Sequence, residues 1–243
     1  MDQTLKEHLK NEHKLTPFST YLKEIVYGGS DGIVTTFAIV AGFTGANSGE
    51  IATLSLITVL IFGLANLFAD GASMGLGNFL SIRSDQDVYK KERKKELNEI
   101  TNNTKFEKEE TLQILMAKGF DKEDAEKLTD IYSKNKEYWL DFMMSQELEM
   151  PDPTSEKPVL SGFATFLAFI FFGFIPLIPY VFLREFSSVF LFSIIATLIA
   201  LTLLGILRWR VTKEKIFRSV IETVLIGGIS AVIAFLVGSL FRA

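Results

Sequence analysis

The sequence predicts an all-α membrane protein, with five transmembrane helices and a helical acidic domain inserted between the second and third. Three observations lead there. Residues 51–69, 159–183 and 186–207 carry no charge, and 219–241 carries only Glu222. A run of about 20 apolar residues is enough to cross the hydrocarbon core as a helix. Between those runs, residues 81–158 hold 19 Asp or Glu against 14 Lys or Arg, a charge density that the bilayer interior does not accept. A less apolar stretch at 25–47, interrupted by Asp31, completes the five spans. The predicted divisions are therefore 1–80 (N-terminal arm and the first two spans), 81–158 (acidic domain) and 159–243 (the last three spans).

Composition excludes several classes. Among 243 residues there is no Cys, which removes disulfides, thiolate zinc sites and cysteine nucleophiles together. His8 and His13 are the only histidines, both in a charged N-terminal arm that has no apolar core of a signal peptide. The formal net charge of −4 gives no basis for binding nucleic acid. Of the 25 Lys and Arg, 23 fall in the N-terminal arm, the 81–158 block and the 208–218 loop. That asymmetry predicts a cytosolic N-terminus, a cytosolic acidic block and, with five spans, a C-terminus outside. No phosphate loop, catalytic triad or nucleotide motif is present, so an enzyme and an ATP-driven pump are both disfavoured.

The first span begins near Ile25 and carries Asp31, a carboxylate that inside a membrane faces a partner, a bundle interior or water. An interfacial anchor is the alternative, because Asp31 lies only about two turns into the helix. Gly28 and Gly32 permit close helix approach, and Gly42, Gly45, Asn47 and Gly49 are expected to mark the outer turn. The second span, from Ile51, ends in Asp70, Met74 and Asn78, four residues apart and so along one slowly drifting helix face. That face is read as a polar pathway, with Met74 as ordinary packing the alternative.

Within the polar block the second helix is expected to continue through about Glu99. A second helix starts at Thr104, where Thr104 and Glu107 fit a capping box, and a third follows Asp121. A further helical segment is expected to reach Met150, stopped by Pro151 and Pro153. Three short patterns here are chemically suggestive: Glu96-x-x-Glu99, Glu107-x-x-Glu110 and Met143-Met144-x-x-Glu147. Residues three or four apart share a helix face, so each pattern turns its metal-capable groups the same way. Carboxylates are hard ligands, and thioethers suit metals softer than Mg2+ or Ca2+. A solvated charged face is the plainer reading, with Lys91, Lys94 and Lys95 beside the glutamates. The later spans are rich in Phe and Leu and read as scaffold, kinked near Pro176 and Pro179 and anchored by Arg208, Trp209 and Arg210.

The Asp31-Gly32-Ile33-Val34-Thr35-Thr36 run, the Ala72-Ser73-Met74-Gly75 segment and the joint spacing of the Glu and Met patterns resemble the vacuolar iron transporter family over nearly the whole chain. The resemblance implies a homodimer with five transmembrane helices per subunit and a cytosolic metal-binding domain. It further implies export of Fe2+, and also Mn2+, from the cytosol by exchange with protons. Carried over by position, Glu96, Glu99, Glu107, Glu110, Met143, Met144 and Glu147 are the implied metal ligands, and Asp31 and Met74 the pathway residues. Many relatives have Gly-Glu-aromatic where this chain has Gly77-Asn78-Phe79; Asp70, two turns earlier, is the candidate to supply the missing charge. Fe2+ is the expected substrate, with Mn2+, Co2+ or Zn2+ as alternatives, and no organic cofactor is expected. The expected partners are divalent metal ions, protons, the lipid bilayer and a second copy. The cell membrane is the expected location, a vacuolar or other organelle membrane the alternative. Two rival functions are a membrane scaffold with an acidic partner-binding domain, and a di-iron oxidase. The second lacks the Glu-x-x-His motifs such sites use.

Overall fold

In a computed structural model the described residues are 16–46, 52–183 and 189–240. They are mostly helical, with short 3-10 turns, connecting loops and no strand among them. His8, His13, Asn47, Gly49 and the expected exit at Arg184 and Glu185 lie outside them. A capped turn at Pro17–Thr20 leads into α1 (Leu22–Ala46). Next come α2 (Ala52–Asn102), α3 (Thr104–Ala117), α4 (Lys122–Tyr132) and α5 (Lys136–Gln146). They are followed by α6 (Pro158–Phe174), α7 (Ile178–Phe182), α8 (Val189–Thr212) and α9 (Ile216–Leu240). Four of these segments are long and apolar enough to cross a membrane: Leu22–Thr44, the apolar part of α2, Pro158–Phe182 and Val189–Thr212.

The chain divides into two compact units, Leu80–Pro158 and the described remainder on either side of it. α2 supplies residues to both. Its 51 residues amount to about 75 Å at 1.5 Å per residue, more than twice a hydrocarbon core. Only its first half is apolar; from Arg83 onward it is charged.

In the apolar unit, α6 packs against both α1 and α2 through backbone rather than side chains. A Cβ at Gly28 would lie 2.5 Å from the Thr165 carbonyl oxygen, and one at Gly32 would strike the Phe169 carbonyl oxygen. Gly75 of α2 and Gly162 of α6 face each other in the same way. Small residues at such crossings let van der Waals packing hold helices together where lipid offers no hydrophobic drive. Outward faces carry Phe163, Phe171 and Leu198, as a bilayer solvent requires. Pro176 and Pro179 do break the third span: α6 gives way to a 3-10 turn at Ile175–Leu177 before α7. The Ser193 hydroxyl of α8 donates to the Pro176 carbonyl at 2.8 Å, occupying an acceptor left over at the break.

The second unit is a small helical domain around Tyr89, Ile100, Trp139, Leu140, Met143 and Met144. Arg93 of α2 grips α5 through Glu137 and Asp141, both at 2.9 Å, and Lys108 ties α3 to Asp130 of α4 at 2.9 Å. Gln86 donates to the carbonyls of Pro153 and Glu156, holding the returning segment.

Several boundaries differ from expectation for identifiable reasons. Gly42 and Gly45 lie inside α1 rather than in a turn. The residue before α3 is Asn103, with no side-chain cap, and Thr104 turns its hydroxyl back to the Ile100 carbonyl; the predicted capping box is not used. Asp121 does cap α4, accepting from the Asp124 N–H. α5 ends at Gln146, not Met150. The Leu148 and Met150 N–H groups return to the carbonyls of Met143 and Met144, with Glu149 in the left-handed region at φ 50°.

Candidate metal centre

Three helices of the acidic unit each present a glutamate to one point. Glu96 comes from α2, one turn before the buried Ile100, and Glu107 from the first turn of α3. Glu147 is the residue that caps the C-terminus of α5. One carboxylate oxygen from each lies within 4.8 Å of the other two. Glu96 and Glu107 are 3% and 2% exposed, and Glu147 is the more open of the three. Carboxylate–metal bonds of about 2.1 Å hold ligand oxygens up to about 4.2 Å apart, so a small contraction suffices to close on a cation.

Electrostatically this is an unfavourable place for three charges. Burial, then the Glu107 charge beside it, pushes the Glu96 carboxyl up to about 7. Burial and then the Glu96 charge likewise raise Glu147 to about 7. Glu107 is also raised, mainly by burial, while its contact with Glu96 works the other way. Two carboxyls this close titrate as a pair and not independently. Even so, Oε1 of Glu96 and Oε2 of Glu107 are buried without a hydrogen-bond partner. Buried polar atoms without partners are rare and call for a ligand, water or ion. A divalent cation would satisfy both oxygens and cancel the repulsion.

Of the seven ligands implied by the resemblance, Glu96, Glu107 and Glu147 converge directly. Met143 and Met144 are fully buried on α5, and the Met143 sulfur lies 3.3 Å from the hydroxyl of Thr111, one turn from Glu107. Glu99 and Glu110 are half-buried and act on Glu96 as neighbouring charges; Glu99 also lies 4.0 Å from Lys95. Sequence reading missed Thr111 and Trp139, which form a buried hydrogen bond of 2.7 Å one turn along α3 from Glu107. Their separation of 28 residues leaves no periodic signal.

In the apolar unit, Asp31 and Asp70 are both half-buried and close enough for their charges to interact. Met74 is partly buried against the cluster containing Leu67 and Phe169. Asn78, expected on the same face, points to α6 and donates to the Thr165 hydroxyl at 2.9 Å. Its amide is therefore engaged in helix packing.

The fold and this cluster define an all-helical membrane protein with an acidic helical unit in which three glutamates converge. The VIT family model matches residues 22–239, and the chain belongs to the VIT family. It is 34% identical to vacuolar iron transporter 1 of Arabidopsis thaliana, over 96% of this chain and 90% of the relative. It is 37% identical to the vacuolar iron transporter of Plasmodium berghei (strain Anka), over 91% and 82%. The Toxoplasma gondii vacuolar iron transporter is 34% identical, over 98% and 81%. These relatives are named for transport, not catalysis.

Proposed function

We propose that this protein exports Fe2+ from the cytosol in exchange for protons, with Mn2+, Co2+ and Zn2+ as further candidate cargoes. The observation that carries the reading is the convergence of Glu96, Glu107 and Glu147 with unpartnered buried oxygens, beside two buried methionines. The relatives' names supply iron. In this reading α9 is a fifth membrane span, the N-terminus and Leu80–Pro158 lie in the cytosol, and the transporter is a homodimer in the cell membrane or, as in the relatives' name, a vacuolar one.

The steps follow from charge. The exposed acids of the 81–158 block raise the local cation concentration. A cation entering the cluster displaces the protons that Glu96 and Glu147 hold near neutral pH. Glu99 and Glu110 complete the ligand shell, and Met143 and Met144 favour a metal that accepts sulfur. The cation then passes to Asp31, Asp70 and Met74, and protonation of those aspartates from the far side lowers their affinity and releases it.

Vesicles reconstituted with the full chain test this. With an imposed pH gradient, Fe2+ flux is expected to exceed flux without one, and Asp31→Asn to abolish the gradient-dependent part. Wild-type vesicles no more permeable to Fe2+ than empty liposomes refute it.

A further inference from the structure

Thr111 is completely buried on α3, one turn beyond Glu107. Its hydroxyl oxygen accepts from the indole Nε1–H of Trp139 at 2.7 Å. Its single proton has two acceptors in reach, the Glu107 backbone carbonyl at 2.8 Å and the Met143 sulfur at 3.3 Å. A hydroxyl donates only once, so the two compete. The indole N–H is also buried and has no reason to leave, since an unpartnered buried donor is costly. Trp139 thus fixes where the Thr111 lone pair points and leaves the proton two directions.

Trp139 and Met143 of α5 and Glu147, the residue that caps its C-terminus, are spaced by four and form a line along the helix. Glu107, Thr111 and the buried Leu115 form the matching line on α3. Thr111 is consequently attached to two residues of the cluster at once, the backbone of one and the sulfur of the other. Methionine is unbranched and adaptable, with three rotatable bonds. A thioether held by no neighbour would bring little affinity to a site dominated by carboxylates.

We propose that Thr111, oriented by Trp139, is a positioning residue for the Met143 thioether, holding the sulfur with its proton and turning that proton to the Glu107 carbonyl when the sulfur binds a cation. This rests on the reading of the Glu and Met cluster as a cation site. The exchange leaves no buried donor unpaired in either state, so releasing the sulfur lone pair is cheap. It also makes Thr111 a determinant of selectivity: the hydroxyl should matter for cations that use sulfur and not for those that take oxygen alone.

The test uses the full chain in detergent, titrated with Zn2+, which accepts sulfur, and Mn2+, which suits carboxylates. Loss of a group that orients a ligand typically costs tenfold or more in metal affinity. Thr111→Val is expected to weaken Zn2+ about tenfold while Mn2+ changes less than about twofold, and Thr111→Ser to restore the Zn2+ affinity. Because valine strands the indole N–H, the double variant Thr111→Val with Trp139→Phe removes donor and acceptor together and should fold while showing the same fall in the Zn2+ to Mn2+ ratio. A purely structural role would weaken both cations alike. An unchanged ratio in a wild-type background that binds both metals overturns this proposal alone; a wild type that binds neither overturns the cluster reading with it.

Discussion

Replacing Glu96 with Gln should stabilise the metal-free acidic unit while destroying its affinity for metal. The folded Glu96 carboxyl titrates near 7 against an ordinary 4.5, because it is buried beside Glu107. A raised acid binds more protons in the folded than in the unfolded state between those values. Stability therefore falls as pH rises from about 4.5 to about 7, and the full penalty is present above that window. At about 1.4 kcal/mol per pH unit, the shift amounts to about 3 kcal/mol for the buried Glu96. Glu147 is more open and shares the same repulsion, so its shift is screened and does not add in full. Gln keeps the shape, loses the charge and can donate to Glu107. Glu96→Gln is thus expected to gain about 2 kcal/mol at about pH 8 and nothing near pH 4.5. Denaturant unfolding in chelator, followed by Trp139 emission in a Trp209→Phe background, measures it at both pH values. Added Mn2+ should reverse the order, stabilising the wild type and not the variant. A Glu96→Gln protein that is less stable at pH 8, or whose gain does not depend on pH, refutes the account of the cluster.

Four further outcomes follow from the same structure. Cation binding near pH 7 should release about one to two protons, read by calorimetry in buffers of different ionisation enthalpy, and almost none at about pH 9. Gly32→Val drives a side chain into the Phe169 carbonyl and should cost about 1–3 kcal/mol; Gly228→Ala, with nothing within 4 Å of its Cβ, should be silent, both judged by thermal unfolding in detergent. Asp70→Asn should alter the pH dependence of vesicle transport through its interaction with Asp31. Asn78→Ala should instead lower stability, because its amide bonds to Thr165.

Features governed by composition and period were legible: the long apolar helices, the helix start after Asp121, and the break at Pro176 and Pro179. Others depended on what a side chain meets in three dimensions. Thr104 and Glu107 satisfy the local signature of a capping box, yet Glu107 is committed to Glu96 and Thr104 to the Ile100 carbonyl, and no local pattern ranks those uses. Pro151 marks where α5 can extend no further; the backbone wrap from Met143 to Met150 ends it earlier. Gly42 and Gly45 read as a turn but lie within a helix, where the demand for internal hydrogen bonds in lipid overrides a weak helix propensity. Spacing also overstated the equivalence of the glutamates. A step of three residues is about 300° around a helix, so Glu99 and Glu110 are offset by about 60° from Glu96 and Glu107. That offset puts Glu96 and Glu107 at the buried centre, where burial first and neighbouring carboxylate charge after it raise their carboxyls, and leaves Glu99 and Glu110 half-buried. On the proposed reading a dication must displace the protons that Glu96 and Glu147 hold near neutral pH, so its affinity is coupled to pH by the burial of those carboxyls.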